Sequence, residues 1–108
     1  MSEDAKVQAK VDMLGKIFKG RLHVRFTKIE EAFALCQAGG DDEEHWLELH
    51  RLLQSLGEAA GSFGFDELGA RAIFVELRVK ELLSQQTKHR HDIDEIGQSL
   101  ADLRSSPV

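Results

Sequence analysis

The sequence predicts an all-α protein, an up-down-up-down four-helix bundle preceded by a short N-terminal helix. Apolar residues recur at steps of three and four along most of the chain, which is the spacing of one helix face. No alternating run of β-branched residues bounded by turn residues occurs, so no strand is expected. The breaks between the apolar stripes are brief, and short connections favour antiparallel neighbouring helices.

The first two helices share one apolar stripe. Gly20 is expected to divide this stripe into two helices, or at least to permit a bend. The second helix should end at Ala38, Gly39 and Gly40, because glycine can adopt the left-handed conformation that closes a helix. The stripe contains Val7, Val11, Leu14, Phe18, Leu22, Phe26, Ile29, Phe33 and Cys36.

The third helix is the most clearly amphipathic. Asp41 is expected to cap its start, with Glu44 three residues later as in a capping box. Gly61 and Gly64 should end the helix and turn the chain. The residues predicted to face the core are Trp46, Leu49, Leu53, Leu56, Ala60 and Phe63.

Two further helices complete the predicted bundle. Asp66 and Glu67 place negative charge at the start of the fourth helix, where the helix dipole favours it. The segment 87–92 is a polar connection to the last helix. The apolar faces of these two helices contain Leu68, Ala72, Val75, Val79 and Leu82, then Ile93, Ile96, Leu100 and Leu103.

Size and charge limit the possible functions. The 108 residues form one expected domain, 1–108, with a core of about residues 14–103. Residues 1–38 carry a net charge of +2 and the remainder −7, so the acidic body argues against nucleic acid. No apolar run approaches the roughly 20 residues of a membrane span. The single cysteine, Cys36, and an N-terminus without a signal-peptide pattern favour the cytoplasm.

Catalytic and metal-binding patterns are weak. His89, His91, Asp92 and Asp94 lie close together, but no further ligand follows at zinc-like spacing. The histidines are therefore interpreted as loop residues and Asp92 as the cap of the last helix. The segment Gly61–Gly64 lacks the Gly-Lys-Ser/Thr ending of a phosphate loop and follows a helix. We therefore expect no cofactor, no metal and no enzymatic activity.

The segment Gln54–Phe65, QSLGEAAGSFGF, resembles the central helix of histidine-containing phosphotransfer domains. Leu56, Gly61 and Gly64 occupy the positions that this family's motif prescribes, and the same register places Gln54 at the phosphoacceptor histidine. The resemblance covers roughly residues 14–103. It implies the four-helix fold and a role in two-component phosphorelay signalling.

The chemistry at that position has changed. An imidazole can attack phosphorus, whereas the lone pair of the Gln54 amide nitrogen is delocalised and is not nucleophilic. Gly57 stands where the family often has a lysine, and Glu58 places a carboxylate one turn from Gln54. These departures predict a degenerate module that accepts no phosphate.

The resemblance implies a docking face for a response-regulator receiver domain or a histidine kinase, on a chain expected to be a monomer. One alternative is an active relay protein with His50 as a displaced acceptor, unless His50 only pairs with Glu48 or Glu58. Another is a purely structural helical interaction domain. The predicted docking residues are His50, Arg51, Gln54, Ser55, Gly57, Glu58, Gly61 and Ser62.

Overall fold

The computed structural model describes residues 2–39 and 42–108, which form five α-helices. No strand occurs within these two ranges, which confirms the prediction of an all-helical protein. No helix in the described parts of the chain is both long and apolar enough to cross a membrane. The helices are α1 (Glu3–Gly20), α2 (Leu22–Gly39), α3 (Glu43–Ser62), α4 (Asp66–Leu83) and α5 (Arg90–Arg104).

A single residue, Arg21, separates α1 from α2, so the predicted division at Gly20 is confirmed. The prediction of a short first helix is wrong, because α1 and α2 each contain 18 residues. Two collinear helices of this length would reach about 54 Å. The longest dimension of the molecule is 58 Å. The first helix therefore continues approximately along α2 and extends beyond the other helices.

The core lies between α2, α3, α4 and α5, and α1 joins it only through its last turns. Contacts link α2 to α3, α3 to α4, α4 to α5 and α5 back to α2. The ring of Phe18 in α1 lies 5.7 Å from that of Phe63 and 5.4 Å from that of Phe65. Leu14 remains exposed. The apolar stripe of α1 is therefore largely uncovered before its last turns, because no other helix extends alongside that part of α1.

The two ends of α3 are set by local backbone chemistry. Asp42 is the N-cap, and its carboxylate accepts a hydrogen bond from the amide of Glu44 at 3.0 Å. Asp41, predicted as the cap, lies outside the described residues, as does Gly40. The helix ends at Ser62, and Gly64 has a φ of 83°. The predicted glycine turn is confirmed at Gly64, because side chains are disfavoured at such an angle.

The inner face of α3 forms the centre of the core. The side chains predicted to face inward are fully buried, except that Phe63 is partly buried. Burial of each leucine contributes roughly 1.5–3 kcal/mol to folding. This burial fixes the rotation of α3 and decides which of its residues face outward. The fully buried residues are Trp46, Leu49, Leu53, Leu56 and Ala60.

Candidate functional site

Gln54 lies at the middle of α3 on the side opposite the core. Its side chain is exposed, and so is that of Glu58 one turn later. Four helical residues rise about 6 Å, so the carboxylate of Glu58 and the amide of Gln54 belong to the same outer surface. Glu58 takes part in none of the ion pairs among the described residues. The surface around Gln54 is therefore neutral to negative.

Arg51, one turn before Gln54, is held by a carboxylate. Its Nε donates a hydrogen bond to Glu48 at 2.9 Å, and a second guanidinium nitrogen contacts the other carboxylate oxygen. The hydrogen bond and charge of Arg51 lower the pKa of Glu48, and the same pair raises the pKa of Arg51. The cation nearest to Gln54 along α3 is thus already paired with an anion.

Gly57 does not lie on the outer surface, contrary to the prediction that placed it in the docking face. It is buried where α3 crosses α4. A Cβ atom added to Gly57 would lie 3.1 Å from Cγ1 of Ile73, and one added to Gly69 would lie 3.4 Å from the Gly57 carbonyl oxygen. The missing side chains allow the two backbones to approach closely, so Gly57 has a packing role.

His50 also turns towards α4. Its Nε2 lies 3.4 Å from Oε1 of Glu76, and about a quarter or less of each side chain is exposed. The expected pairing of His50 with Glu48 or Glu58 is therefore wrong. The Nε2 atom of this histidine, the candidate displaced acceptor, is buried beside a carboxylate of the neighbouring helix and makes no hydrogen bond within the described residues.

The remaining predicted docking residues divide between two directions. Ser55 is partly buried and lies towards α2, where the Arg25 guanidinium approaches its Oγ at 3.4 Å. Gly61 is exposed, and a Cβ atom there would meet open space. Ser62 is exposed and donates a hydrogen bond to the Glu58 carbonyl oxygen at 2.9 Å. Of the predicted set, only Arg51, Gln54, Glu58, Gly61 and Ser62 are exposed on the outer surface.

Apolar residues of α4 complete this surface, and the sequence reasoning missed them. Ile73 lies over Gly57 and is 46% exposed, while Leu77, one turn later, is 51% exposed. We use the term Gln54 face for Gln54, Glu58 and Gly61 of α3 together with Ile73 and Leu77 of α4. The signal was present in the sequence, because α4 carries large apolar residues on more sides than one buried stripe requires.

Cys36 has no features of a reactive thiol. It is buried on the inner side of α2. Removal from water raises the pKa of its thiol to about 12. Since the thiolate is the reactive form, Cys36 is a small buried core residue rather than a reactive thiol.

The predicted cap at Asp92 is wrong, because His91 and Asp92 lie within the first turn of α5. His89 is the N-cap residue of α5, while Nε2 of His91 lies 3.1 Å from Glu95. Asp94 pairs with Arg90 at 3.6 Å. No group of three or more potential metal ligands occurs in the described ranges.

Comparison of the chain with protein-family models, with curated proteins and with solved structures finds no match. Function is therefore inferred from the residues and their geometry. The features that carry this inference are the exposed Gln54, the carboxylate of Glu58, which has no ion-pair partner among the described residues, and the exposed apolar side chains of α4.

Proposed function

We propose that this chain is a degenerate phosphotransfer-like module that docks a receiver or histidine kinase domain and carries no phosphoryl group. The observation that carries the proposal is the exposed position of Gln54 at the centre of α3, where the family resemblance expects the acceptor histidine. The same resemblance implies a cytoplasmic protein, since receivers and kinase catalytic domains act there.

The proposed architecture is an up-down-up-down bundle of α2 to α5, with α1 as an additional N-terminal helix. Two contacts support opposite directions for α3 and α4. Gly57 lies beside Ile73, whereas His50, earlier in α3, lies beside Glu76, later in α4. The closed ring of contacts among the four helices also fits this arrangement.

The chemistry around Gln54 supports docking without transfer. A glutamine amide donates and accepts hydrogen bonds but offers no lone pair for attack on phosphorus. Glu58 would repel an incoming phosphoryl group, and the guanidinium of Arg51 is paired with Glu48. The surface around Gln54 therefore offers neither a nucleophile nor a free cation for phosphoryl transfer, although it remains exposed and available for docking.

The Gln54 face has the character of a small transient interface. Gly61 leaves room for close approach, and Ile73 and Leu77 supply apolar area beside the polar centre. Interfaces of this kind bind weakly, and micromolar affinity is expected. A receiver's acidic pocket would be repelled by Glu58, and Mg²⁺ in that pocket should reduce this repulsion.

The docking test is titration of the isotope-labelled protein with a panel of receiver and kinase domains, followed by chemical-shift mapping. Shifts should cluster at Gln54, Gly61, Ile73 and Leu77. Gly61→Arg should abolish binding because it adds bulk to the face. Gly20→Arg is the matched control, since its Cβ also meets open space but lies outside the Gln54 face. Shifts confined to α5, or no binding to any domain, would favour the purely structural alternative.

The transfer test is incubation with radiolabelled phosphorylated receivers. The natural chain should acquire no label, and Gln54→His alone should recover little while Glu58 remains. The double change Gln54→His with Glu58→Gly should recover more, because both the repelling charge and its bulk are removed. Acid-labile label on the natural chain that His50→Ala removes would instead support the displaced acceptor.

A further inference from the structure

An open groove runs between α2 and α3 on the side of α3 away from α4. It encloses about 840 Å³, and its apolar floor includes Ile29, Ala32 and Leu52. The wall formed by α2 and the preceding Arg21 extends as far as Leu35, a distance of about 21 Å along a helix. The groove is therefore long enough for several turns of a second helix.

Three cations line one end of this groove without a carboxylate partner. Arg21, which directly precedes α2, and Arg25 and Lys28 of α2 lie at steps of four and three, so they share one side. None of them takes part in an ion pair within 4.0 Å in the described part of the chain. Arg25 instead lies over the ring of Phe18, with 5.3 Å between guanidinium carbon and ring centroid. This positive cluster stands out on a chain whose net charge is −5.

The opposite end of the groove carries the carboxylate of Glu31, which has no cation within 4.0 Å among the described residues. Glu48 also lines this end, but its charge is balanced by Arg51, the fourth cation of the walls. The charge of the groove therefore changes from positive to negative along α2. Such a gradient favours a ligand with negative charge at one end and fixes the direction in which that ligand lies.

We propose that the α2–α3 groove binds an acidic amphipathic helix of a partner protein. Carboxylates of that helix pair with Arg21, Arg25 and Lys28, and its apolar side chains cover the floor. A nucleic acid fits less well, because phosphates along its length would meet the unbalanced carboxylate of Glu31. This binding site does not depend on the docking role proposed for the Gln54 face.

The test uses a fluorescein-labelled helical peptide of about 14 residues, the length that spans the groove. It carries leucines along one face and glutamates at one end, and a matched peptide carries glutamine in place of glutamate. Fluorescence anisotropy should show that the glutamate peptide binds more tightly than the glutamine peptide. The difference should shrink as salt is raised, because exposed charges are screened.

Two double variants with the same net charge separate the groove from the overall charge of the protein. Arg21→Gln with Lys28→Gln removes two of the three unpaired cations, and about threefold to tenfold weaker peptide binding is expected. Lys16→Gln with Lys80→Gln removes two exposed cations elsewhere and should leave binding unchanged. Circular dichroism checks that both variants keep the helical content of the natural chain.

Three outcomes would overturn this assignment. The first is equal binding of the glutamate and glutamine peptides, or no binding of either at about 1 mM. The second is an equal loss in the two double variants, which would reflect net charge alone. The third is a dimer, seen by light scattering, that only the Arg21 and Lys28 changes dissociate, since the groove would then hold a second copy of the chain.

Discussion

The two flanks of α3 differ in how closely the neighbouring helix approaches. On the α4 side, Gly57 and Gly69 lie close together and leave little space, because a Cβ atom on Gly57 would lie 3.1 Å from the Ile73 side chain. On the α2 side, long side chains such as Arg25 and Arg51 border a groove of about 840 Å³. The same helix therefore has one closed flank and one open flank.

This difference shows that amphipathicity alone does not define an accessible surface. Both flanks lie at the edge of the same apolar face, and both carry residues that a helix wheel places outside the core. Whether an edge is open depends on the neighbour, because two glycines permit backbone contact whereas arginines and leucines keep space between helices. Binding surfaces should therefore be sought on the α2 flank and on the outer Gln54 face.

The largest effect is expected at Cys36, which tests whether the open flank admits solvent to the core. Cys36 follows Leu35, a groove residue, but its side chain is buried. Burial raises its thiol pKa to about 12 from an ordinary value of 9.0, so far less thiolate is present near neutral pH than in the unfolded chain. The rate of reaction with a disulfide reagent should therefore fall by well over tenfold on folding. Native and denatured rates within about tenfold of each other would mean that the groove reaches the core.

The second largest effect is expected for truncation of a side chain in the core between the two flanks. Leu56→Ala removes a fully buried side chain and should lower the free energy of unfolding by about 2–5 kcal/mol. Leu47→Ala is the matched control, because Leu47 is 54% exposed on the same helix and its truncation should change little. Urea unfolding measures both, and equal losses would contradict the assigned rotation of α3.

Because glycine closes the α4 flank, adding a side chain there should lower the stability of the fold by a smaller amount. A side chain at Gly57 would press on Ile73 and on the backbone of α4, so Gly57→Val should destabilise by about 1–3 kcal/mol. Gly61→Ala is the control, because its Cβ meets open space and alanine favours the helix by roughly 0.5–1 kcal/mol. If Gly57→Val were as stable as the natural protein, the close contact of α3 with α4 would be disproved.

The sequence predicted the helices, the inner face of α3 and the turn at Gly64, because each depends on local periodicity or backbone chemistry. It misplaced Gly57, since glycine has no side chain whose polarity reveals the side on which it lies. Its burial depends on Gly69, whose position is set only when α4 packs against α3. The exposure of Leu14 in α1 was missed for a related reason: an apolar stripe does not show whether another helix extends far enough to cover it.

The candidate site was predictable in part. The outward position of Gln54 follows from the helical period of its buried neighbours, and that prediction agrees with its exposure. The pairing of His50 with Glu76 was not predictable, because it joins two helices through tertiary packing. The apolar contribution of Ile73 and Leu77 was visible in the sequence, but its proximity to Gly57 required the fold.

The smallest expected effect concerns Glu48 and Arg51 on the wall of the open flank. The hydrogen bond and charge of Arg51 lower the pKa of the Glu48 carboxyl. A lowered folded-state pKa adds stability above the unfolded pKa, and this contribution is lost as pH falls through the folded pKa. Because both groups are exposed to water, the contribution should be too small to shift the midpoint of thermal unfolding measurably.

Carbon-detected pH titration of Glu48 should nevertheless show a higher titration midpoint in Arg51→Gln than in the natural chain. An unchanged midpoint would mean that the pair does not persist in solution, so that Arg51 becomes a fourth free cation and the groove more positive than proposed.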